Sequence, residues 1–356
     1  MSNQMENLGI RLTTIASVLL LAFLAVSTAA QTTASTPAAP DATTQQPAPA
    51  ASSSGSNGTS AAQEQKPADA NAPADEAVTT IRTKTNEVNV VFTVTDKHGK
   101  RITDMKQGDF RVVDDNKAPE EIRSFHAETN LPLQVGLMID ASNSVRDRFK
   151  FEQESAIEFL NQTIHPPADQ AFIVGFDVTP EVTQDFTGNT ELLAHGVHEL
   201  RPGGGTALYD ALYFACRDKL LKTSKAVTVR RAIILLSDGE DNQSHVTREE
   251  AIDMAQRAEA IVYTISTNVS GTKGAGDKVL ERIADATGGR AFFPFQIRDV
   301  ANAFAEIQDE LRSQYAISYK PADFKSDGHY RTIEIVANDR KNFRVRARRG
   351  YYAPAQ

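Results

Sequence analysis

Three separated fragments of the chain carry oxygen donors of the kinds a hard divalent cation takes: Asp140-Ala141-Ser142-Asn143-Ser144, Gly203-Gly204-Gly205-Thr206 and Ser237-Asp238-Gly239. The hydroxyls of Ser142, Ser144 and Thr206, with the carboxylates of Asp140 and Asp238, suit an ion that prefers oxygen ligands in octahedral geometry and keeps some of its waters. Magnesium fits that description, and manganese would substitute. Each residue also has an ordinary account: Ser144 would cap the helix after it, Thr206 a helix starting at Ala207, and Asp238 would cap or turn the chain after its strand. Capping explains any one of them; five oxygen-bearing residues in order along one sheet edge favour a metal site.

These fragments need a scaffold. Leu133 to Ile139 and Ala232 to Leu236 are continuous apolar runs that read as buried strands of a parallel sheet, and loops at the carboxyl ends of such strands are where open α/β sheets bind ligands. Further strands are expected at Ala171 to Phe176, Ile261 to Ser266 and Ala291 to Phe293. Helices are expected after Ser144, around Phe149 to Leu160, and at Thr190 to Leu200, Ala207 to Leu221, Arg248 to Ala260, Lys278 to Ala286 and Asp299 to Leu311. The alternation predicts an α/β fold, a doubly wound and mostly parallel sheet, over residues 131–313.

The flanks differ. The amino terminus has Arg11, an apolar run from Ile15 to Val26 and small residues through Ala30, the pattern of a secretory signal over residues 1–30, cleaved after Ala30 or retained as an anchor. Residues 31–77 are almost wholly Ala, Thr, Ser, Pro, Gln and Gly, a disordered tether too poor in large apolar residues to fold. Val88, Val90, Phe92 and Val94 then alternate along one strand face, and Asp114-Asp115-Asn116-Lys117 reads as a hairpin turn, since it lacks the spaced acids and central glycine of a calcium loop. After Tyr315 come strands at Ala316 to Tyr319, Tyr330 to Val336 and Phe343 to Tyr351, with a hairpin around Asn338-Asp339-Arg340. Neither flank is large enough to stand alone, so residues 78–130 and 314–356 are expected to pair into a small β-sandwich into which the α/β domain is inserted.

Composition narrows the function. In 356 residues the formal charge is -8, which argues against a nucleic-acid binder. The single cysteine, Cys216, permits no internal disulfide and sits among apolar residues, as a core residue does. The glycine triplet at 203–205 lacks both the lysine of a P-loop and a preceding strand. His195 and His198 are three apart without a third ligand and read as solvated helix residues, Glu240 and Asp241 as solvent-facing loop residues, and Arg344, Arg346 and Arg348 as one strand face that protects an edge.

The Asp-x-Ser-x-Ser fragment, the glycine-led Thr206 and the strand-ending Asp238 resemble the metal-ion-dependent adhesion site of von Willebrand factor type A domains, as does the stretch Gly204 to Ala211. The flanks, with the closing Arg348-Arg349-Gly350-Tyr351-Tyr352-Ala353-Pro354, resemble exported bacterial VWFA-related proteins of the acidobacterial type. The resemblance implies that Ser142, Ser144 and Thr206 bind the ion by hydroxyls, with Asp140 and Asp238 acting directly or through water. It further implies that an Asp or Glu of a protein partner completes the coordination sphere. The expectation is an exported adhesion or binding module, periplasmic, cell-surface or secreted, and not an enzyme; the alternatives are a metal-dependent hydrolase and an envelope protein whose metal stabilises the fold. The resemblance also raises a coupled shift of the last helix, Asp299 to Leu311.

Overall fold

The computed structural model describes residues 87–127, 131–223, 229–268, 270–296, 298–338 and 343–354. The expected signal and tether lie outside them. The chain begins with β1 (Val88–Thr95), β2 (Phe110–Asp114) and β3 (Glu121–Ala127), then enters the α/β section: β4 (Leu133–Asp140), α1 (Phe149–Thr163), β5 (Gln170–Phe176), β6 (Pro180–Thr187), α2 (Thr190–Glu199), α3 (Leu208–Phe214), β7 (Arg230–Ser237), α4 (Arg248–Arg257), β8 (Ala260–Ser266), α5 (Ala275–Thr287), β9 (Ala291–Phe292) and α6 (Asp299–Leu311). It closes with β10 (Tyr315–Lys320), β11 (Tyr330–Ala337), β12 (Arg344–Ala347) and β13 (Gly350–Tyr352).

The α/β section forms a six-stranded sheet in the order β6-β5-β4-β7-β8-β9, parallel except for β6. Its central strands are buried on both faces, so successive side chains enter different cores. Leu137 and Ile139 pack with Phe159, Leu160, Leu193, Phe304 and Ile307, which places α1, α2 and α6 on one side. Met138, between them, packs with Leu212, Leu235, Ala255 and Ile283, which places α3, α4 and α5 on the other. The doubly wound architecture expected from the strand and helix alternation is the one observed.

Strand β6 was not expected. Pro-Glu-Val-Thr-Gln-Asp-Phe-Thr is mostly polar because the strand is the sheet edge and lies half open, with proline at its first residue, where a missing N–H is tolerated. The helix expected to run to Leu221 is α-helical only to Phe214 and continues as a π-helical turn, Ala215–Leu220. The helix expected to reach Ala260 stops at Arg257, since Glu259 adopts a φ of 54° and Ala260 opens β8.

The flanks form two facing antiparallel sheets, β12-β1-β10-β3 and β13-β11-β2, each mixing strands from before and after the α/β section. Val88 to Phe92 pair with Tyr319 to Tyr315. Between the sheets lie Phe92, Phe110, Tyr315, Tyr319, Ile333, Ile335 and Tyr351, with Phe92 and Tyr315 stacked at 5.6 Å between ring centroids. One expectation fails here. The single strand Phe343 to Tyr351 is two strands in different sheets, broken at Arg348 and Arg349. The hairpin expected around Asn338-Asp339-Arg340 falls on residues 339–342, outside the described set; of the strands beside it, β11 pairs with β2 and β13, and β12 with β1.

The tight turn at Asp114-Asp115-Asn116-Lys117 is present, with Asp114 and Lys117 exchanging backbone hydrogen bonds at 2.8 Å and positive φ at Asp115 and Asn116. The chain then crosses to the other sheet instead of returning beside β2. The Asp114 carboxylate points inward, where the hydroxyls of Tyr319 and Tyr351 donate to it at 2.8 and 3.0 Å.

Strand β12 is a sheet edge, as expected, and Arg344 is exposed on it, but the other two arginines are turned to partners within the fold. Arg346 lies 2.6 Å from Glu310 of α6, and Arg348, buried, donates to the Asn89 carbonyl at 2.7 Å. They join the sandwich to the α/β section and to its own first strand. Among the described residues no helix is long and apolar enough to cross a membrane.

Candidate metal centre

Strand β4 ends at Asp140 and β7 at Ser237, adjacent and parallel, so the segments that follow leave the same sheet edge side by side. A third loop, Gly203 to Ala207, comes in from α2. Direct bonds close the triangle between the three. Gly203 N–H donates to the Ala141 carbonyl at 2.6 Å, and the Asn143 side-chain amide to the Gly204 carbonyl at 3.1 Å. Ser144 Oγ donates to Asp238 Oδ2 at 2.7 Å. Thr206 N–H donates to Asn242 Oδ1 at 3.0 Å, while the Thr206 carbonyl accepts from the backbone of Asn242 and Gln243.

Four of the five expected residues form one chain of bonds. Ser142 N–H donates to Asp140 Oδ1 at 2.9 Å, the Ser142 and Ser144 hydroxyls are 2.9 Å apart, and Ser144 leads on to Asp238. Thr206 is brought to the same edge by its backbone bonds and is buried. The capping accounts do not hold for the hydroxyls. Ser144 lies in a 3-10 turn, Asn143–Val145, and α1 begins only at Phe149; Ala207, not Thr206, is the N-cap of α3 and has no side-chain cap bond. Asp238 does turn the chain locally, accepting from Glu240 N–H at 3.1 Å through Oδ1, which leaves Oδ2 for Ser144.

Two glycines set the loops. Gly239 has a φ of +79°, and a Cβ there would lie 2.2 Å from the Gly276 carbonyl oxygen. Gly204 has a φ of +73°, and a Cβ would lie 2.8 Å from Asp177 Oδ2. An L side chain is strained at either position, so the segments beside Asp238 and Thr206 keep their course only with glycine.

The electrostatics fit a cation. Asp140 is fully buried, and its pKa is pushed up to about 6, chiefly by burial and also by the nearby Asp238 charge, against hydrogen bonds from Ser237 and Ser142. On α1, Glu152 is also buried and is pushed up to about 8 by burial, with Arg148 opposing and Asp140 and Asp238 adding to the rise. Among the described residues no ion pair joins Asp140 or Asp238 to a lysine or arginine. A buried carboxylate facing a second carboxylate without a basic partner is a charge distribution that a divalent ion relieves. Among the described residues no three His, Cys, Asp or Glu side chains converge at metal-ligand spacing, so a site at this edge must draw on hydroxyls, as a hard, partly hydrated ion allows.

Sequence reasoning missed two supporting residues. Ser237 Oγ donates to Asp140 Oδ2 at 2.6 Å and accepts from Gly239 N–H at 3.0 Å, which orients the carboxylate and fixes the turn together. Asn242 holds Thr206. Both sit within five residues of Asp238, Ser237 inside the fragment already singled out and Asn242 beyond its end, but their partners are far away in sequence. Asp241 was misread as a solvent-facing residue: its Oδ2 accepts from Tyr209 N–H at 3.1 Å and from Ser244 Oγ at 2.6 Å, which serves the first turn of α3. Glu240 is exposed, as expected. His195 is solvated and lies 3.4 Å from Glu199, and burial pushes the Cys216 thiol up to about 12, so it is an inert core residue.

Residues 135–240 match the family model described as von Willebrand factor type A domain. Calcium-activated chloride channel regulator 1 of Bos taurus is 30% identical over 189 residues, which cover 50% of this chain and 19% of that protein; the chain thus spans about a fifth of that relative's length. Among solved structures, proximal thread matrix protein 1 from the mussel byssus aligns at a TM-score of 0.46 with 16% identity, covering 55% of this chain and 50% of that one. The vWF domain of the type V pili tip protein Mfa5 from Porphyromonas gingivalis aligns at 0.42 with 18% identity, covering 50% of this chain and 94% of that one. The mussel protein has also been solved with a zinc-occupied MIDAS motif, which aligns at 0.44 with 17% identity over 55% of this chain and 49% of that one. With the doubly wound sheet and the three loops gathered at one edge, the match at residues 135–240 makes this a chain that carries a von Willebrand factor type A domain.

Proposed function

We propose that the chain is an exported, cation-dependent binding module that captures a protein through an acidic side chain. Asp140, Ser142, Ser144, Thr206 and Asp238 would hold magnesium, with manganese as a substitute. The bound ion would supply an electrophilic open position for a partner's Asp or Glu. The protein's own part is positioning: Ser237 fixes the Asp140 carboxylate, Asn242 fixes Thr206, and the Asn143–Gly204 contact holds the first two loops together. The observation that carries this reading is the bond chain Asp140–Ser142–Ser144–Asp238, which assembles hydroxyls and carboxylates from distant segments that have no capping role in common.

Binding is favoured over hydrolysis by what surrounds the site. Among the described residues, the hydrogen bonds of the five run to one another and to hydroxyls, amides and backbone groups, whereas metal-assisted hydrolysis would want a further positioned base beside the ion. The export signal read at residues 1–30 would place the module in the periplasm, at the cell surface or outside the cell.

The test is calorimetric titration of the chain with magnesium and with manganese, beside Asp140→Ala and Thr206→Ala. One-to-one binding in the wild type that is lost in Asp140→Ala and weakened in Thr206→Ala supports the site. Binding of equal strength in all three proteins would sink it.

A further inference from the structure

Beside the candidate metal edge, between the start of α1 and the end of α2, lies a groove of about 370 Å³. Arg146, Lys150 and Arg201 line it, with His198, and among the described residues Glu154 is its only lining acid. Three fixed positive charges against one negative is an anomaly on a chain whose formal charge is -8. The Glu154 carboxylate does little to cancel it, because its nearest basic atom, Lys150 Nζ, is 4.0 Å away and the Lys150 side chain is 90% exposed. The groove floor is built by Phe149 and Leu200, both buried, so the cations stand on rigid elements.

The groove is tied to the metal edge through Arg146. Its Nη2 donates to Asn143 Oδ1 at 3.0 Å, inside the Asp-x-Ser-x-Ser fragment, and to the Pro202 carbonyl at 3.4 Å, one residue before the glycine-led loop. Arg201 is anchored in the same way, donating to the Leu200 carbonyl at 2.8 Å and to the His198 carbonyl at the end of α2. Both guanidiniums are thus oriented by backbone or amide oxygens, with no carboxylate paired to them among the described residues, and both residues are exposed. Pre-oriented, unneutralised guanidiniums are suited to carboxylate recognition.

We propose that this groove receives a second acidic side chain of the same protein partner, so that the module recognises an acidic peptide segment and not an isolated carboxylate. The proposal rests on the metal-dependent reading of the neighbouring edge. One carboxylate would complete the ion's coordination; another, a short way along the same segment, would enter the groove among Arg146, Lys150 and Arg201. Charge complementarity selects the occupant: a neutral or basic segment gains nothing from these side chains and pays for their desolvation.

The probes are two fluorescein-labelled peptides, a hexaglutamate and a Gly/Ser peptide with one central glutamate, titrated with the full chain in magnesium and in EDTA. The expected result is that hexaglutamate binds about tenfold more tightly than the single-glutamate peptide in magnesium, the scale of a few exposed ion pairs acting together. Lys150→Glu, a fully exposed change, and Arg201→Gln each shrink that ratio towards one while magnesium affinity and single-glutamate binding stay at wild-type values. An unchanged ratio in both variants overturns the groove and leaves the metal site standing. Binding of the single-glutamate peptide at the same strength in magnesium and in EDTA overturns the metal reading instead. A sulfated oligosaccharide that binds more tightly than hexaglutamate at the same ionic strength, and loses affinity in Lys150→Glu, overturns the peptide assignment.

Discussion

Ser144 Oγ donates to Asp238 Oδ2 at 2.7 Å across a sequence separation of 94 residues, joining the loop after β4 to the loop after β7. Two proposed ligands are thus bonded to one another, and the bond ties the two loops together. Preorganisation of this kind lowers the cost of binding.

The same contact separates metal affinity from fold stability. Asp238→Asn keeps a hydrogen-bond acceptor for Ser144 but removes a charge that faces buried Asp140. We expect magnesium affinity to fall at least about tenfold, a loss of about 1.4 kcal/mol. The melting temperature in EDTA should hold or rise, because a like-charge repulsion has gone. Calorimetry and thermal denaturation on the same preparation check both. A large drop in the EDTA melting temperature would instead make Asp238 a structural residue.

Glu152 predicts a pH dependence in the absence of metal. Burial raises its pKa from 4.5 to about 8, so the folded state keeps a proton that the unfolded chain releases near the ordinary value. Between those two values the folded state binds more protons, and stability falls as pH rises through the window, at up to about 1.4 kcal/mol per pH unit from this group. Glu152→Gln should flatten the decline, so that wild type and variant agree near pH 4.5 and the variant melts at the higher temperature at pH 8. Denaturation curves in EDTA across that range decide the matter; parallel curves would mean the wild-type carboxyl ionises without penalty.

Gly239→Ala tests the loop geometry. With a φ of +79° and the Gly276 carbonyl 2.2 Å from the new methyl, the backbone must move, and Asp238 precedes it directly. A destabilisation of about 1–3 kcal/mol is expected from the backbone strain alone, together with loss of magnesium binding. Urea denaturation gives the first and titration the second. Normal metal affinity in the variant would show that the position of Asp238 is not set by this turn.

What could be read in advance follows from where the partners lie. Leu133 to Asp140 is legible because a strand buried on both faces must be apolar throughout, whatever surrounds it. Pro180 to Thr187 is not, because an edge strand covered on one side carries polar residues that resemble a loop. The alternation of Phe343 to Tyr351 reveals extended chain but not which sheet receives it, and the division at Arg348 depends on strands that begin far upstream. The three oxygen-bearing fragments, which the fold brings to one edge, were legible as a group because they repeat one chemistry. Ser237 and Asp241 were not, since their partners Asp140 and Tyr209 lie 97 and 32 residues away. Local spacing betrays a cap; it does not betray a long-range one.

The last helix offers the strongest stability prediction. Glu310, near the end of α6, is buried between Arg290 Nη1 at 3.2 Å and Arg346 Nη2 at 2.6 Å, the second contributed by strand β12 of the sandwich. Since α6 leads after three residues into β10, this cluster fixes the helix to both parts of the fold at once. Glu310→Ala leaves Arg346 beside a buried void without its carboxylate, while Arg290 keeps Glu306 at 2.6 Å, and should cost about 3 kcal/mol, the lower end for breaking a buried pair. Arg346→Met leaves Glu310 with Arg290 and should cost less. Replacing Arg290, Glu310 and Arg346 together by Met, Leu and Met should recover much of the loss, because the three charges no longer need to be desolvated. Urea denaturation of the four proteins gives the comparison. If the triple variant is no more stable than Glu310→Ala, the cluster holds the helix by geometry that apolar packing cannot replace.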